Sequence, residues 1–169
     1  MLINPSVKNA PLLNAIGPMM ALEDARKLGQ ARPLFSWRCS YYLERRQKIL
    51  VFANDATAAL IVLRGINAAQ RREVPGAFLQ GIHLLGQLAG VSPEQTQVYL
   101  KAAGALQTGR NFNRSSMGAV ANASLMLQWT EVTSGDLLDA AAMNSINDVP
   151  MRGTFPKGEW AKALGQLQA

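Results

Sequence analysis

The stretch from Phe35 to Leu63 limits the possible folds more than any other part of the chain. Phe35, Trp37, Cys39, Tyr41 and Leu43 alternate with Ser36, Arg38, Ser40, Tyr42 and Glu44, the period of a strand with one face toward a core. A basic turn, Glu44-Arg45-Arg46-Gln47-Lys48, leads into Ile49 to Ala53, which is apolar on both faces and reads as a central strand covered by helices. Asn54-Asp55-Ala56-Thr57 supplies the next turn, because these side chains accept from backbone N–H groups two residues on. Ala58 to Leu63 is a further apolar run. The pattern predicts a three-stranded antiparallel meander. Its first turn lacks Asn-Gly, so a hairpin looser than a two-residue type I′ loop is expected.

Around the meander the period changes. Residues 1–4 suit a short strand that Pro5 stops. A short helix is expected from Asn9 to Ile16, then one from Met19 to Leu28 with Gly29 as its cap. The main amphipathic helix starts at Pro75 and ends at Gly90. Ser92-Pro93-Glu94-Gln95 begins another, with Ser92 as N-cap, that stops at Gly104. A fourth strand is expected within Ala105 to Arg110, then helices over Ser116 to Trp129, from Ser134 onward, and over Pro156 to Leu167. The resulting expectation is one domain spanning residues 1–169, of α+β class. It has a small antiparallel sheet, the meander plus one or two further strands, with helices packed mainly on one face.

With one cysteine, Cys39, and one histidine, His83, the chain cannot form an internal disulfide, and a zinc site of Cys and His is nearly excluded. Cys39 reads as a packing residue on a strand and His83 as a structural residue on an amphipathic helix. Neither a metal nor a cofactor is expected, since phosphate-binding glycine loops, Gly-x-Ser-x-Gly and paired-histidine signatures are all missing. No apolar run approaches the roughly 20 residues that cross a bilayer. The first residues lack a basic segment followed by an apolar block, so no signal peptide is expected and the cytoplasm is the expected location.

The charge is unevenly spread. Residues 30–72 hold eight basic side chains against two acidic ones, which accounts for the whole net charge of +6. A local excess of this kind concentrates polyanions near its surface, although charged side chains also protect a sheet edge from pairing. Tyr41 and Tyr42 lie among these arginines, as in surfaces that bind nucleic acid.

Two polar clusters supply the candidate binding residues. The first is Arg45, Arg46 and Lys48 of the basic turn with Asn54, Asp55 and Thr57 of the next turn. The second is Arg110, Asn113, Arg114 and Ser116, where arginine and serine donors meet a helix start, an arrangement suited to an anion. A plain capped helix start explains the same residues. No catalytic residue is assigned, because Asp55 has no second carboxylate or histidine near it in sequence. The leading expectation is a non-catalytic binding or regulatory protein whose basic sheet region contacts nucleic acid or an acidic partner protein. The alternative is a small enzyme acting on a phosphate-containing substrate through Asp55 and Arg114. A homo-oligomer subunit is a third possibility.

Trp37, the block Arg46 to Thr57, the segment Asn113-Arg114-Ser115-Ser116-Met117-Gly118 and the stretch Asn144 to Leu164 follow one another in a succession that resembles domain of unknown function 6933. After Gly118 the family's asparagine-aspartate pair is represented only by Asn122. The resemblance implies a small free-standing protein of bacteria or mobile elements and carries no activity with it.

Overall fold

The structure is a computed structural model that describes residues 1–6, 9–44, 46–110, 115–127, 136–151 and 153–167, with residues 115–120 described by backbone alone. Among the described residues, β1 (Leu2–Pro5), β2 (Ser36–Glu44), β3 (Gln47–Asn54), β4 (Leu60–Leu63) and β5 (Gln107–Thr108) form one sheet in the order β4-β3-β2-β1-β5. The meander is present as expected, with Trp37 opposite Asn54, Cys39 opposite Phe52, and Phe52 opposite Ile61.

The sheet is mixed rather than purely antiparallel. β1 runs parallel to β2 on one side and to β5 on the other. A parallel neighbour needs a long crossover, and the chain between Pro5 and Ser36 provides it. That segment contains two short 3₁₀ turns in succession, Ala10–Leu12 and Asn14–Ile16, then helix α1, Leu22–Ala31, and a third such turn, Pro33–Phe35. The first two turns replace the expected short helix. Gly29 is buried inside α1 rather than capping it, and the helix continues to Ala31.

Helices cover both faces of the sheet, where one was expected to carry most of them. The reason is the apolar character of β3 and β4 on both sides: Ile49, Leu50, Val51, Phe52, Leu60, Ile61 and Val62 are all buried. On the face of Trp37 and Phe52 lie α2 (Val74–Leu88), α3 (Pro93–Ala103) and α6 (Pro156–Gly165). Trp37 meets Phe78 edge-on at 5.3 Å and Trp160 at 5.5 Å, and Tyr99 meets Trp160 at 4.9 Å. Such aromatic pairs contribute about 0.5–1.5 kcal/mol each beyond the area they bury. The indole N–H of Trp37 donates to Tyr99 Oη at 3.0 Å, and that hydroxyl donates to the Leu34 carbonyl. Gly81 lets α2 lie close on the sheet, for a Cβ there would stand 2.5 Å from Ile61 Cγ2.

The opposite face receives α4 (Ser115–Leu127), which packs on β2 and β3, while α5 (Ala140–Asn147) lies along β4. Residues 137–139 do not belong to the helix expected from Ser134. They run extended beside β4, with Arg64 N donating to Leu137 O and Asp139 N to Val62 O, and Asp139 then caps α5 through the Ala142 N–H. Asn147 completes the cover of this edge. Its amide accepts from Leu60 N and donates to Leu60 O, taking the place of another strand. The Ser92 cap, accepting from Gln95 N, and the stops at Gly90 and Gly104, both at positive φ, stand where the sequence put them.

Candidate functional site: the basic end of the sheet

The β2–β3 turn is tighter than expected. Glu44 pairs with Gln47, so the loop has two residues, and Arg46 itself adopts the left-handed region at φ 69°. A non-glycine residue there costs about 1 kcal/mol or more. The packing of Tyr42 against Ile49 and Cys39 against Phe52 fixes the register from the strands, and the turn follows. Arg46 is exposed and Lys48 is half-buried, its ammonium 5.6 Å from the centre of the Tyr41 ring. Arg45 lies outside the described residues.

Glu44 is the only carboxylate between Cys39 and Asn54, and it does not face the solvent freely. It accepts from Arg64 Nη1, while Arg64 Nε donates to Asp139. Arg64 is 5% exposed. Burial opposes its charge, but the bond to Asp139 and the neighbouring Asp139, Tyr42 and Glu44 outweigh burial, so its pKa is raised. Burial also pushes the Tyr42 phenol up to about 12, with Arg64 pulling the other way. The one acid of the hairpin is thus engaged by a buried guanidinium.

The exit from β4 comes back to the same end. Ile66 N donates to Lys48 O at 3.1 Å, and the 3₁₀ turn Gln70–Arg72 follows, with Arg72 exposed. Arg46 and Lys48 thus issue from the hairpin end of the sheet, while Arg72 is followed directly by the exposed acid Glu73.

The second half of the first cluster lies elsewhere. Lys48 and Asn54 are separated by the length of β3, about 20 Å at strand rise. Asn54 is 1% exposed, and its side-chain oxygen accepts from Ala56 N, Thr57 N and Thr57 Oγ1, each at 3.1 Å, while its amide donates to Leu34 O. Thr57 Oγ1 in turn accepts from Ala59 N. These two residues build the turn, as their side chains imply.

Asp55 behaves differently. One carboxylate oxygen accepts from Arg38 Nε at 2.6 Å, the other from Ser36 Oγ at 2.6 Å, and Ser36 also accepts from Asn4 Nδ2. Asn4, Ser36 and Arg38 are buried, so this is an internal polar chain linking β1, β2 and the turn after β3.

The second cluster is only partly in view. Arg110 is exposed beyond β5, three strand spacings or about 14 Å across the sheet from β3. Asn113 and Arg114 lie outside the described residues, and α4 begins at Ser115 with Ser116 in its first turn. Arg110 is therefore separated from Arg46 and Lys48 both across and along the sheet. Gly109, just before it, packs so tightly that a Cβ would stand 2.3 Å from Asn4 Oδ1.

The remaining chemistry-bearing residues are quiet. Cys39 is fully buried and burial pushes its thiol well above the usual range. His83 is half-buried on α2. Among the described residues no three His, Cys, Asp or Glu side chains gather as metal ligands, and no helix is long and apolar enough to cross a membrane.

A family model, Domain of unknown function (DUF6933), matches residues 10–161. The chain belongs to that family. The match to DUF6933 covers all of the meander, both polar clusters and α2 through α5, so the basic end of the sheet falls within the shared domain. No curated protein and no solved structure matches the chain.

Sequence reasoning missed two participants. Arg38 was placed by alternation on the face opposite Trp37, and that face proves to be buried, so a carboxylate partner was implied by the cost of an unpaired buried charge. Arg64 gave no such signal, because Asp139 lies 75 residues away in sequence.

Proposed function

We propose that this DUF6933 protein is a non-catalytic binding or regulatory protein, and that the basic end of its sheet contacts nucleic acid or an acidic partner protein. The observation that carries the reading is the pairing of Glu44 with the buried Arg64, which leaves the hairpin cations Arg46 and Lys48 without a free acid beside them in the hairpin. The two buried arginines of the region, Arg38 and Arg64, serve the fold and are not part of the surface. Arg32 is at the far end, over the Phe35 ring and donating to Ala102 O. A polyanion would therefore meet a compact cationic end rather than the whole basic stretch. A cytoplasmic setting, in bacteria or their mobile elements, would supply both kinds of partner.

The enzymatic alternative through Asp55 and Arg114 has less support. Both oxygens of Asp55 already accept hydrogen bonds, so the carboxylate has a structural occupation.

The test is retention of the full chain on an anionic matrix across a salt gradient. The wild-type protein should elute late, and Arg46→Glu/Lys48→Glu, which replaces one exposed and one half-buried side chain, should elute early while still unfolding cooperatively. Equal retention of the two proteins would sink the reading.

A further inference from the structure

The tip of the hairpin has an apolar centre as well as a cationic rim. Leu43 is 61% exposed, the most exposed of the large hydrophobic side chains among the described residues. It stands directly opposite Lys48, on the face that also carries Tyr41, while Glu44 turns to the other face and is held by Arg64. Resting on the binding reading above, we propose that this tip is a wedge for double-stranded nucleic acid. Leu43 enters between stacked base pairs, and Arg46 and Lys48 take the flanking phosphates.

Other polyanions fit the tip less well. An anionic membrane is held by apolar area together with charge, and even one myristoyl chain anchors only marginally, so a single leucine is too little. A single strand is bound by rows of exposed aromatic side chains on which bases stack. Here Tyr41 is half-buried beside the Lys48 ammonium, and Tyr42 is half-buried on the opposite face near Arg64. A duplex needs only one apolar side chain, inserted from the groove while Arg and Lys neutralise the backbone, to unstack a step and kink the helix. The strand register sets Leu43 beside Lys48 on one face of the hairpin, two residues before its turn begins.

The experiment uses the full chain with an end-labelled duplex, read by anisotropy for binding and by energy transfer between the ends for bending. The same-length single strand, anionic phosphatidylserine vesicles and polyglutamate are run beside it. The wild-type protein should bind the duplex best and shorten its end-to-end distance. Leu43→Ala should lose the bend and bind roughly tenfold more weakly, with the salt dependence kept. Leu43→Met should restore the bend. Arg46→Glu/Lys48→Glu should lower the salt slope by about two. Duplex binding without bending, or bending that persists in Leu43→Ala, overturns the wedge. Binding to polyglutamate, the single strand or vesicles in preference to the duplex also overturns it. Binding to no polyanion at all overturns the wedge and the proposed function together.

Discussion

Arg38 and Asp55 form an internal ion pair, Nε to Oδ1 at 2.6 Å, with the two side chains 3% and 10% exposed. The pair joins the second strand of the sheet to the turn after the third, and Ser36 donates to the second carboxylate oxygen. Removing one partner deprives the other, largely buried charge of this ion pair, which in buried pairs costs about 3–5 kcal/mol. Asp55→Asn should therefore lower stability by about 3 kcal/mol in denaturant unfolding. A variant as stable as the wild type would show that the carboxylate is held for something other than the fold.

Asn147 closes the β4 edge through both polar groups of Leu60 and also donates to Met143 O. Asn147→Ala would leave the Leu60 N–H and C=O unpaired at a buried edge. Stability should drop by about 3 kcal/mol, and the Leu60 amide should exchange with solvent much faster. Hydrogen exchange that stays slow at Leu60 would contradict this account.

Gly109 marks the closest approach of β5 to its neighbours. A methyl group there would stand 2.3 Å from Asn4 Oδ1 and 2.9 Å from both Ala25 Cβ and Leu2 Cδ1. Gly109→Ala should destabilise by about 1–3 kcal/mol through overpacking. The same substitution at Gly158, exposed in α6 with nothing within 4 Å, serves as the control and should leave stability unchanged or raise it by up to about 1 kcal/mol.

Two phenols report on burial. Burial raises the Tyr42 pKa to about 12, and it raises that of Tyr99 further, against the opposing influence of the bond from Trp37 and of Arg32. In the unfolded chain both titrate near pH 10. Between these values the unfolded state has lost protons that the folded state keeps, so stability falls as pH rises. The buried Cys39 thiol acts in the same direction from about pH 8.5, so unfolding midpoints should begin to fall there and decline further between pH 10 and pH 12, with Tyr42→Phe declining less steeply in that upper interval. Midpoints rising across that interval would reverse the sign and refute the assignment.

The meander was legible because its signals are local. Trp37, Cys39 and Tyr41 alternate with Ser36, Arg38 and Ser40, and Asn54 and Thr57 carry their own turn bonds. Ser92, Gly90 and Gly104 likewise act within a turn of their own positions. The nearness of Arg46 and Lys48 was legible for the same reason, since only Gln47 separates them in sequence. What misled was adjacency in sequence. Asn54 and Asp55 follow Lys48 closely along the chain, yet a strand separates them by its whole length.

The amino-acid order alone determined the class of fold, the strands of the meander, the cap at Ser92 with the stops at Gly90 and Gly104, and the place of the net charge. Each depends on a period or a cap that a few neighbouring residues specify. The tertiary structure decided the parallel insertion of β1, the two-residue turn at Arg46, and which cations remain at the surface. Those outcomes depend on contacts such as Arg64 with Asp139 and Leu60 with Asn147. Such partners lie far apart along the chain and meet only when the helices close over both faces of the sheet, because only then does an unpaired charge or an uncovered edge become costly enough to select them.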